Sequence, residues 1–121
     1  MNELAQLVKI SKYAGGRFDL VQASGGNASV KKADGTMLIK ASGYLLSEVE
    51  MHRGYCLINN KKVLGILDEP WIVRERNREK IDRRIMGRIQ KCVIKDKGRP
   101  SIEVFLHALL DKYTLHLHPL L

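Results

Sequence analysis

Cysteine is scarce in this sequence, and long apolar runs are missing from it. The two cysteines, Cys56 and Cys92, have neither a metal-ligand spacing nor the density of a disulfide framework. No stretch approaches the roughly 20 apolar residues that cross a bilayer. Residues 1–6 lack the basic and then apolar layout of a secretion signal. We therefore expect no membrane partner, and a reducing cytoplasm as the location.

Acidic residues are also few, since 13 of them stand against 21 lysines and arginines, for a net charge of +8. Most of this excess lies between Arg74 and Arg99, where eleven basic residues stand against four acidic ones. Such a segment attracts polyanions, which makes nucleic-acid binding one hypothesis. The segment mixes acids with its bases and contains no aromatic side chain to stack on a nucleobase. A solvated helix face is therefore the favoured interpretation, and a nucleic-acid partner is not expected.

The composition otherwise indicates one folded domain over residues 1–121. Hydrophobic residues make up 45% of the chain, and neither an internal repeat nor a low-complexity segment is present. Apolar periodicity and turn residues predict the secondary structure. The predicted elements are a helix over 2–14, a hairpin with strands 28–32 and 37–41, a second hairpin with strands 55–58 and 63–67, and a mostly helical segment over 71–94.

The last stretch, from Arg99 to Pro119, reads as a helix that runs into a strand. Pro100 and Ser101 indicate a helix entry, because a serine hydroxyl can accept an unpaired N–H of the first turn. Apolar residues follow at helical spacing: Val104, Phe105, Ala108, Leu109 and Tyr113. Residues 114–118 then alternate, so His116 and His118 share one face of a strand. Two imidazoles there make half of a zinc-type site, and a partly exposed polar face is the simpler alternative.

Glu103 and His107 lie four residues apart, so they share one face of the predicted helix. The simpler interpretation makes Glu103 an acid that compensates the helix dipole. In the same interpretation His107 is a hydrogen-bonded partner. A catalytic carboxylate is the alternative for Glu103.

Two short polar turns nearer the N-terminus supply candidate anion-binding groups. Gly25 and Gly26 precede Asn27, and the exposed N–H groups of such a turn can cradle an anion. A tight turn before a strand is the alternative. Ser42 and Gly43 form the second turn, whose hydroxyl and N–H groups could meet the same anion.

Four segments, taken in order, resemble the motifs of the class II aldolase/adducin N-terminal family. That family includes fuculose-phosphate and rhamnulose-phosphate aldolases and ribulose-phosphate 4-epimerase. The segments are Gly-Gly-Asn-Ala-Ser at 25–29, Ala-Ser-Gly at 41–43, Pro-Ser-Ile-Glu at 100–103 with His107, and His-Leu-His-Pro at 116–119. The resemblance covers nearly the whole chain except residues 71–97, where this sequence looks longer and more basic.

The resemblance implies a three-layer α/β/α fold around a mixed, largely antiparallel sheet, assembled as a homotetramer. It implies a metal-dependent aldehyde-lyase that splits a sugar phosphate by a reversible retro-aldol reaction. His116 and His118 would be two of three histidine ligands of a divalent ion, typically Zn²⁺, and Glu103 would move the proton at the reacting carbon. The substrate phosphate would be bound by Gly26, Asn27, Ser42, Gly43 and Ser101.

Two departures from the family pattern affect the expected activity. Many phosphate-specific members carry two serines before the glutamate, whereas this chain has Ser101 and Ile102, so one phosphate-binding hydroxyl is missing. The third histidine of the family would lie beyond Leu121. We therefore expect the N-terminal portion of an aldolase-like domain, with a weakly active or inactive site. A non-catalytic, adducin-like interaction module is the alternative function.

Overall fold

Five strands and five α-helices make up the part of the chain that the structure describes. The computed structural model describes residues 2–17 and 26–117, without the side chains of Ile72, Val73 and Asp96. The elements are α1 (Glu3–Gly15), β1 (Asn27–Lys31), β2 (Thr36–Lys40), β3 (Tyr55–Asn59), α2 (Asn60–Ile66), α3 (Trp71–Arg74), α4 (Arg78–Lys91), β4 (Val93–Lys97), α5 (Val104–Leu109) and β5 (Tyr113–His116), with a 3₁₀ turn at Leu46–Glu48.

The strands form one sheet in the order β4-β3-β2-β1-β5, and each neighbouring pair is antiparallel. The β1–β2 hairpin aligns Val30 with Leu38. Asp34 holds its turn, because its Oδ1 accepts the Thr36 N–H at 3.0 Å. The first predicted hairpin is therefore confirmed, with both strands shifted one residue towards the N-terminus.

Helices cover both faces of the sheet and give the chain three layers. On one face, α1 places Leu7 in a core that includes Val30 of β1. On the other face, α2, α4 and α5 pack against the alternate strand residues. Buried representatives of that second core are Met37, Ile39, Val63, Ile89 and Val104. The predicted three-layer α/β/α fold is confirmed, and every strand pairing among the described residues is antiparallel.

The N-terminal helix follows the sequence prediction closely. Asn2 caps α1, because its Oδ1 accepts the Ala5 N–H at 2.8 Å. The helix ends at Gly15, which lies against the 3₁₀ turn. A Cβ atom added at Gly15 would stand 2.4 Å from the backbone nitrogen of Ser47, so this close approach requires glycine.

The second predicted hairpin is wrong in its second strand. Strand β3 forms as expected, but residues 60–66 fold as helix α2. Asn59 caps this helix by accepting the Lys62 N–H at 3.1 Å. Val63 and Ile66 are both buried, and a spacing of three residues places them on one face of a helix. Burial of this helical stripe against the sheet outweighs the alternation that suggested a strand.

The long helical segment predicted over residues 71–94 divides into three elements. Helix α3 ends at Arg74, and Asn77 begins α4 by accepting the Lys80 N–H at 3.1 Å. Val93 lies within the predicted helical segment, but it begins β4 and pairs with Ile58. A β-branched residue beside an open strand gains ladder hydrogen bonds and a pleated surface to pack on. The sequence contains no separate signal for this pairing.

The C-terminal helix is shorter than predicted, because α5 ends at Leu109 and Tyr113 is the first residue of β5. Strand β5 pairs with β1. His118 lies outside the described residues, so the shared face of His116 and His118 stays a prediction. Within residues 2–17 and 26–117, no helix is both long and apolar enough to cross a membrane.

Candidate active site

Three elements bring polar side chains together near one side of the sheet. Asn27, the first residue of β1, lies opposite His116, the last residue of β5. Residues that face each other across an antiparallel pair carry their side chains on the same face of the sheet. Glu103 immediately precedes α5, which packs on that face. The strand register and the place of α5 therefore bring these groups within reach of each other.

The Glu103 carboxylate is held at both of its oxygens. Asn27 Nδ2 donates to Oε2 at 2.9 Å, and His116 Nδ1 lies 2.8 Å from Oε1. Asn27 is buried, and its Oδ1 accepts the Ala28 N–H at 2.8 Å. The side chains of His116 and Glu103 are 38% and 33% exposed. A buried amide therefore anchors the carboxylate, while its imidazole side is accessible from solvent.

These contacts set the charge of Glu103. Burial by itself raises the pKa of this carboxyl group, but the hydrogen bonds from Asn27 and His116 outweigh burial. The charge interactions with His116 and His107 act in the same direction as those bonds. The pKa of Glu103 therefore lies below its ordinary value of 4.5. At neutral pH this side chain is a carboxylate, the form that accepts a proton or attracts a cation.

The backbone around Glu103 is also fixed by hydrogen bonds. The Ser101 hydroxyl accepts the Glu103 N–H at 3.2 Å, and the Glu103 carbonyl accepts the His107 N–H at 3.1 Å. Ser101 thus accepts a bond at the helix entry as the sequence predicted, although α5 itself begins at Val104. Its predicted contact with a phosphate stays a prediction.

The second polar turn lies beside the segment that leads to Ser101. The N–H of Ser42 donates to the carbonyl of Arg99 at 2.7 Å, and the two residues form an isolated antiparallel bridge. An open cavity of about 350 Å³ lies at this bridge. Its lining consists of Ser42, Met86, Gln90, Arg99 and Pro100. The fold therefore places the predicted phosphate-binding turn at Ser42 beside the segment that leads to Ser101, which is another predicted phosphate ligand.

Glycine is needed in both predicted anion-binding turns. Gly26 has a φ of 94° and Gly43 a φ of 84°, values that side chains disfavour. Gly26 is buried directly beside Asn27, and Gly43 is exposed. Gly25 lies outside the described residues. The backbone conformations agree with the predicted turns, and phosphate binding by them stays a prediction.

Lys40 is a buried cation that the sequence analysis missed. Its side chain is almost fully enclosed, at 4% exposure, and Nζ donates to the carbonyls of Ala41 at 3.1 Å and Tyr44 at 2.5 Å. Burial lowers the pKa of Lys40, whereas the negative charges of Glu103 and Glu48 raise it. The available signal was its position at the end of the apolar run of β2, directly before the Ser42 turn.

His107 is hydrogen-bonded, as the simpler interpretation predicted, but its partner is in β1. His107 Nδ1 lies 2.6 Å from the hydroxyl oxygen of Ser29, and both residues are fully buried. The pKa of His107 is lowered to about 4, chiefly by burial; Glu103 opposes this shift, and His116 and Lys31 add to it. The imidazole is therefore neutral at physiological pH.

The basic segment is a solvated surface, as the favoured interpretation predicted. Apart from the half-buried Arg88, its lysines and arginines are exposed, and they lie on α3, α4, β4 and the adjoining turns. Two of them contact neighbours: the Arg84 guanidinium lies 4.3 Å from the centre of the Trp71 ring, and Arg88 pairs with Glu69 at 2.5 Å.

His116 is the one predicted metal ligand that lies within the described residues. A group of three or more histidine, cysteine or acidic side chains suited to a metal is absent from residues 2–17 and 26–117. The donor chemistry of His116 fits a ligand nevertheless, because metal-binding histidines usually place their other ring nitrogen against a carboxylate or carbonyl. The second predicted ligand, His118, lies outside the described residues.

The family model for the class II aldolase and adducin N-terminal domain matches residues 5–120. The chain belongs to this family. The aldolase/adducin fold is also similar to a solved structure described as the N-terminal class II aldolase domain of a conserved protein from Thermoplasma acidophilum. That similarity has a TM-score of 0.75 at 25% sequence identity, and covers 98% of this chain and 55% of the other. None of the curated proteins compared with the chain matches it.

This aldolase/adducin chain therefore spans about half the length of the solved chain it matches. The family prediction made from four motifs is confirmed, and so is the fold that the resemblance implied. Class II aldolases typically use a divalent metal. The catalytic, metal-binding and phosphate-binding roles of individual residues remain predictions.

Proposed function

We propose that this chain carries a class II aldolase-type active site, which cleaves a sugar phosphate or a related hydroxy-carbonyl compound in a reversible retro-aldol reaction. The supporting observation is the Glu103 carboxylate, held between the Asn27 amide and the His116 imidazole. A purely structural acid at a helix start does not need two side chains from two different strands. Such a clamp fixes the direction of a carboxylate, which is the requirement for proton transfer.

In this proposal Glu103 moves the proton at the reacting carbon. In the cleavage direction the hydroxyl group on the carbon that becomes the aldehyde loses its proton to water, and the carbon–carbon bond breaks. Its electron pair remains on the ketone fragment as an enediolate, and Glu103, protonated from water, gives that carbon its proton. In the synthesis direction the Glu103 carboxylate removes the same proton. The lowered pKa keeps Glu103 ionised at neutral pH, which favours the second role.

His116 and His118 would hold a divalent ion, proposed to be Zn²⁺. The chemistry supplied by such an ion is Lewis-acid polarisation of the substrate's carbonyl and hydroxyl oxygens. The contact between His116 Nδ1 and Glu103 supports this assignment, because it fixes the ring orientation of the ligand.

The phosphate of the substrate would be bound by the two glycine turns and the helix entry. The residues in this role are Gly26, Asn27, Ser42, Gly43 and Ser101. The bridge between Ser42 and Arg99 supports a shared site, because it brings the second turn beside the segment that leads to Ser101. A cation at Arg99 beside the cavity adds positive charge for an anionic substrate.

The test combines metal content with cleavage. The chain is purified without chelator, its zinc is measured, and aldehyde release from fuculose phosphate and rhamnulose phosphate is followed. We expect Glu103→Gln to keep zinc and to lose about 10²–10⁴-fold in rate. His116→Ala should lose both zinc and activity, whereas His52→Ala, at an exposed histidine of the 51–54 turn, should change neither. Equal activity in Glu103→Gln and the unaltered chain would exclude the proposed role of Glu103.

A non-catalytic interaction module, as in adducin, is the second candidate. Exposed apolar side chains on α5 and in the turn after it favour it: Leu106, Leu109 and Leu110. A second copy of this chain is the proposed occupant of that surface. Leu109→Glu should then weaken self-association in sedimentation experiments, and Leu67→Glu, an exposed leucine just after α2, should not. Self-association that survives Glu103→Gln in a chain without cleavage activity would support this second candidate.

A further inference from the structure

A second polar contact joins β1 to α5, parallel to the contact that holds Glu103. Ser29 Oγ lies 2.6 Å from His107 Nδ1. Both residues are fully buried. The neighbouring α5 residues Val104 and Ala108 belong to the apolar core. A buried polar pair is costly in such surroundings, because an apolar pair of the same shape would pack there without desolvating polar atoms.

The burial of His107 includes an unsatisfied atom. Among the described residues, no hydrogen-bond partner is found for His107 Nε2, which is enclosed by protein. An unpaired buried nitrogen adds a further free-energy cost to the same side chain. The free-energy cost of burying His107 therefore indicates that its hydrogen bond provides a benefit that a leucine could not provide.

The spacing of the two contacts gives that benefit. Asn27 and Ser29 are two residues apart on β1, a rise of about 6.6 Å. Their partners Glu103 and His107 are four residues apart, a rise of about 6 Å along a helical turn. The two contacts therefore match each other in length, so one rigid helical turn satisfies both at once.

This match makes the two contacts dependent on each other. The helical turn itself is closed by the bond from the His107 N–H to the Glu103 carbonyl. A slide or rotation of α5 that moves Glu103 away from Asn27 must also separate His107 from Ser29.

We propose that Ser29 and His107 form a positioning pair, which locks α5 against β1 and so presents the Glu103 carboxylate between Asn27 and His116. Neither residue touches the reacting atoms, so both act through Glu103. This inference rests on the proposed function only for its catalytic consequence. The geometric consequence, a correctly placed Glu103, is measurable without turnover.

The experiment uses the full 121-residue chain and two independent readouts. Ser29→Ala and His107→Leu remove the contact. His107→Asn keeps a polar atom near the position of Nδ1 and is the conservative variant. Ser11→Ala is the matched control, because Ser11 is also a fully buried serine whose hydroxyl lacks a hydrogen-bond partner among the described residues. Circular dichroism and thermal unfolding establish that each variant is folded before it is compared.

The first readout is the NMR signal of the Asn27 side-chain amide, which reports its bond to Glu103. We expect this signal to shift in Ser29→Ala and His107→Leu, to return towards its original position in His107→Asn, and to stay unchanged in Ser11→Ala. The second readout is aldehyde release from fuculose phosphate and rhamnulose phosphate. Loss of positioning should lower kcat about 10- to 100-fold with KM changed less than about threefold, because ground-state binding does not depend on the direction of Glu103.

The two readouts separate the failure of this inference from the failure of the proposed function. An unshifted Asn27 signal in folded Ser29→Ala would overturn the positioning pair, whatever the activity. A shifted signal in a chain that shows no cleavage would support the positioning pair and count against the aldolase proposal. If His107→Leu folds poorly, Ser29→Ala still decides the matter, since it removes only one oxygen atom.

Discussion

Asn27 lies directly opposite His116 in the β1–β5 ladder, and the two side chains contact different oxygens of the same carboxylate, that of Glu103. Their partner, Glu103, is 76 residues from Asn27 but only 13 from His116 along the chain. One neutral amide and one imidazole thus set both the direction and the charge of this acid. The proposed chemical role of Glu103 depends on these two contacts, which substitutions can test directly.

Asn27→Asp tests the clamp by replacing an amide donor with a second carboxylate of nearly the same shape. The two carboxylates would then lie about as close together as the amide donor and its acceptor do now, at 2.9 Å. We expect the free energy of unfolding at pH 8 to fall by about 2–3 kcal/mol, as for loss of a hydrogen bond to a charged group.

The double variant Asn27→Asp, Glu103→Gln should recover most of that loss, because the donor and the acceptor have exchanged places. Urea unfolding of the four proteins in this cycle gives the coupling energy between the two positions. Additive losses in the double variant would mean that residues 27 and 103 are not partners in solution.

The stability of the protein should fall in mild acid because of His107. Its pKa is about 4 in the folded chain and about 6.5 in the unfolded chain. Between these values the unfolded chain binds more protons, so the contribution of His107 is fully present above pH 6.5 and is lost as pH falls towards 4. From pH 7.5 to pH 5 this amounts to about 2 kcal/mol.

Urea unfolding at pH 7.5 and pH 5 measures this effect against His107→Asn, which cannot titrate. Glu103, His116 and Lys31 also interact with His107, but they are present in both proteins. The variant should therefore lose less stability than the unaltered chain over the same interval. Equal losses in the two proteins would show that His107 does not stay neutral in the fold.

Two glycines in helices should respond to alanine with opposite signs. Gly15→Ala improves helix propensity but places Cβ 2.4 Å from the Ser47 backbone nitrogen. We expect a net destabilisation of about 1–3 kcal/mol, since α1 must move away from the 3₁₀ turn. Gly87 lies in α4 with no other atom within 4 Å of an added Cβ, so Gly87→Ala should stabilise by about 0.5–1 kcal/mol. Thermal unfolding of both variants provides the comparison, and a stabilised Gly15→Ala would contradict the close packing of α1.

Both cysteines should be reduced and slow to react in the folded protein. Cys56 and Cys92 are both buried, and Cys56 Sγ lies 2.9 Å from the Gly98 carbonyl oxygen. Burial raises the pKa of Cys92, which reduces its thiolate fraction. Ellman's reagent at pH 8 should therefore find little reaction in the native state and two thiols per chain after denaturation. Rapid native reaction of either thiol would show that its part of the core opens readily.

Local sequence signals determined much of the fold. The hairpin around Asp34 and the helix that Asn2 caps depend on contacts over three or four residues, and both elements formed as predicted. The family and its three-layer architecture also followed from four motifs, because each motif places polar and glycine residues where ordinary packing does not require them.

The tertiary structure decided the elements whose local signals were ambiguous. Val63 and Ile66 fit either a short strand or a helical stripe, and contact with the sheet selected the helix. The local sequence allows Val93 to continue the helix, but Val93 pairs with Ile58 at the open side of β3 and so begins a strand. Free energy from burial and from ladder hydrogen bonds exceeds the small local preferences in both cases.

The candidate site was likewise predictable from the sequence only in part. The sequence alone identified Glu103, His116 and Asn27, since their residue types and spacings carry the family motifs. Only the fold decided that Asn27 and His116 share Glu103, and that Ser29 pairs with His107 across 78 residues of chain. Such pairings depend on the strand register and on the position of α5 against the sheet, and both are set by the packing of the whole sheet. No short stretch of sequence contains that information.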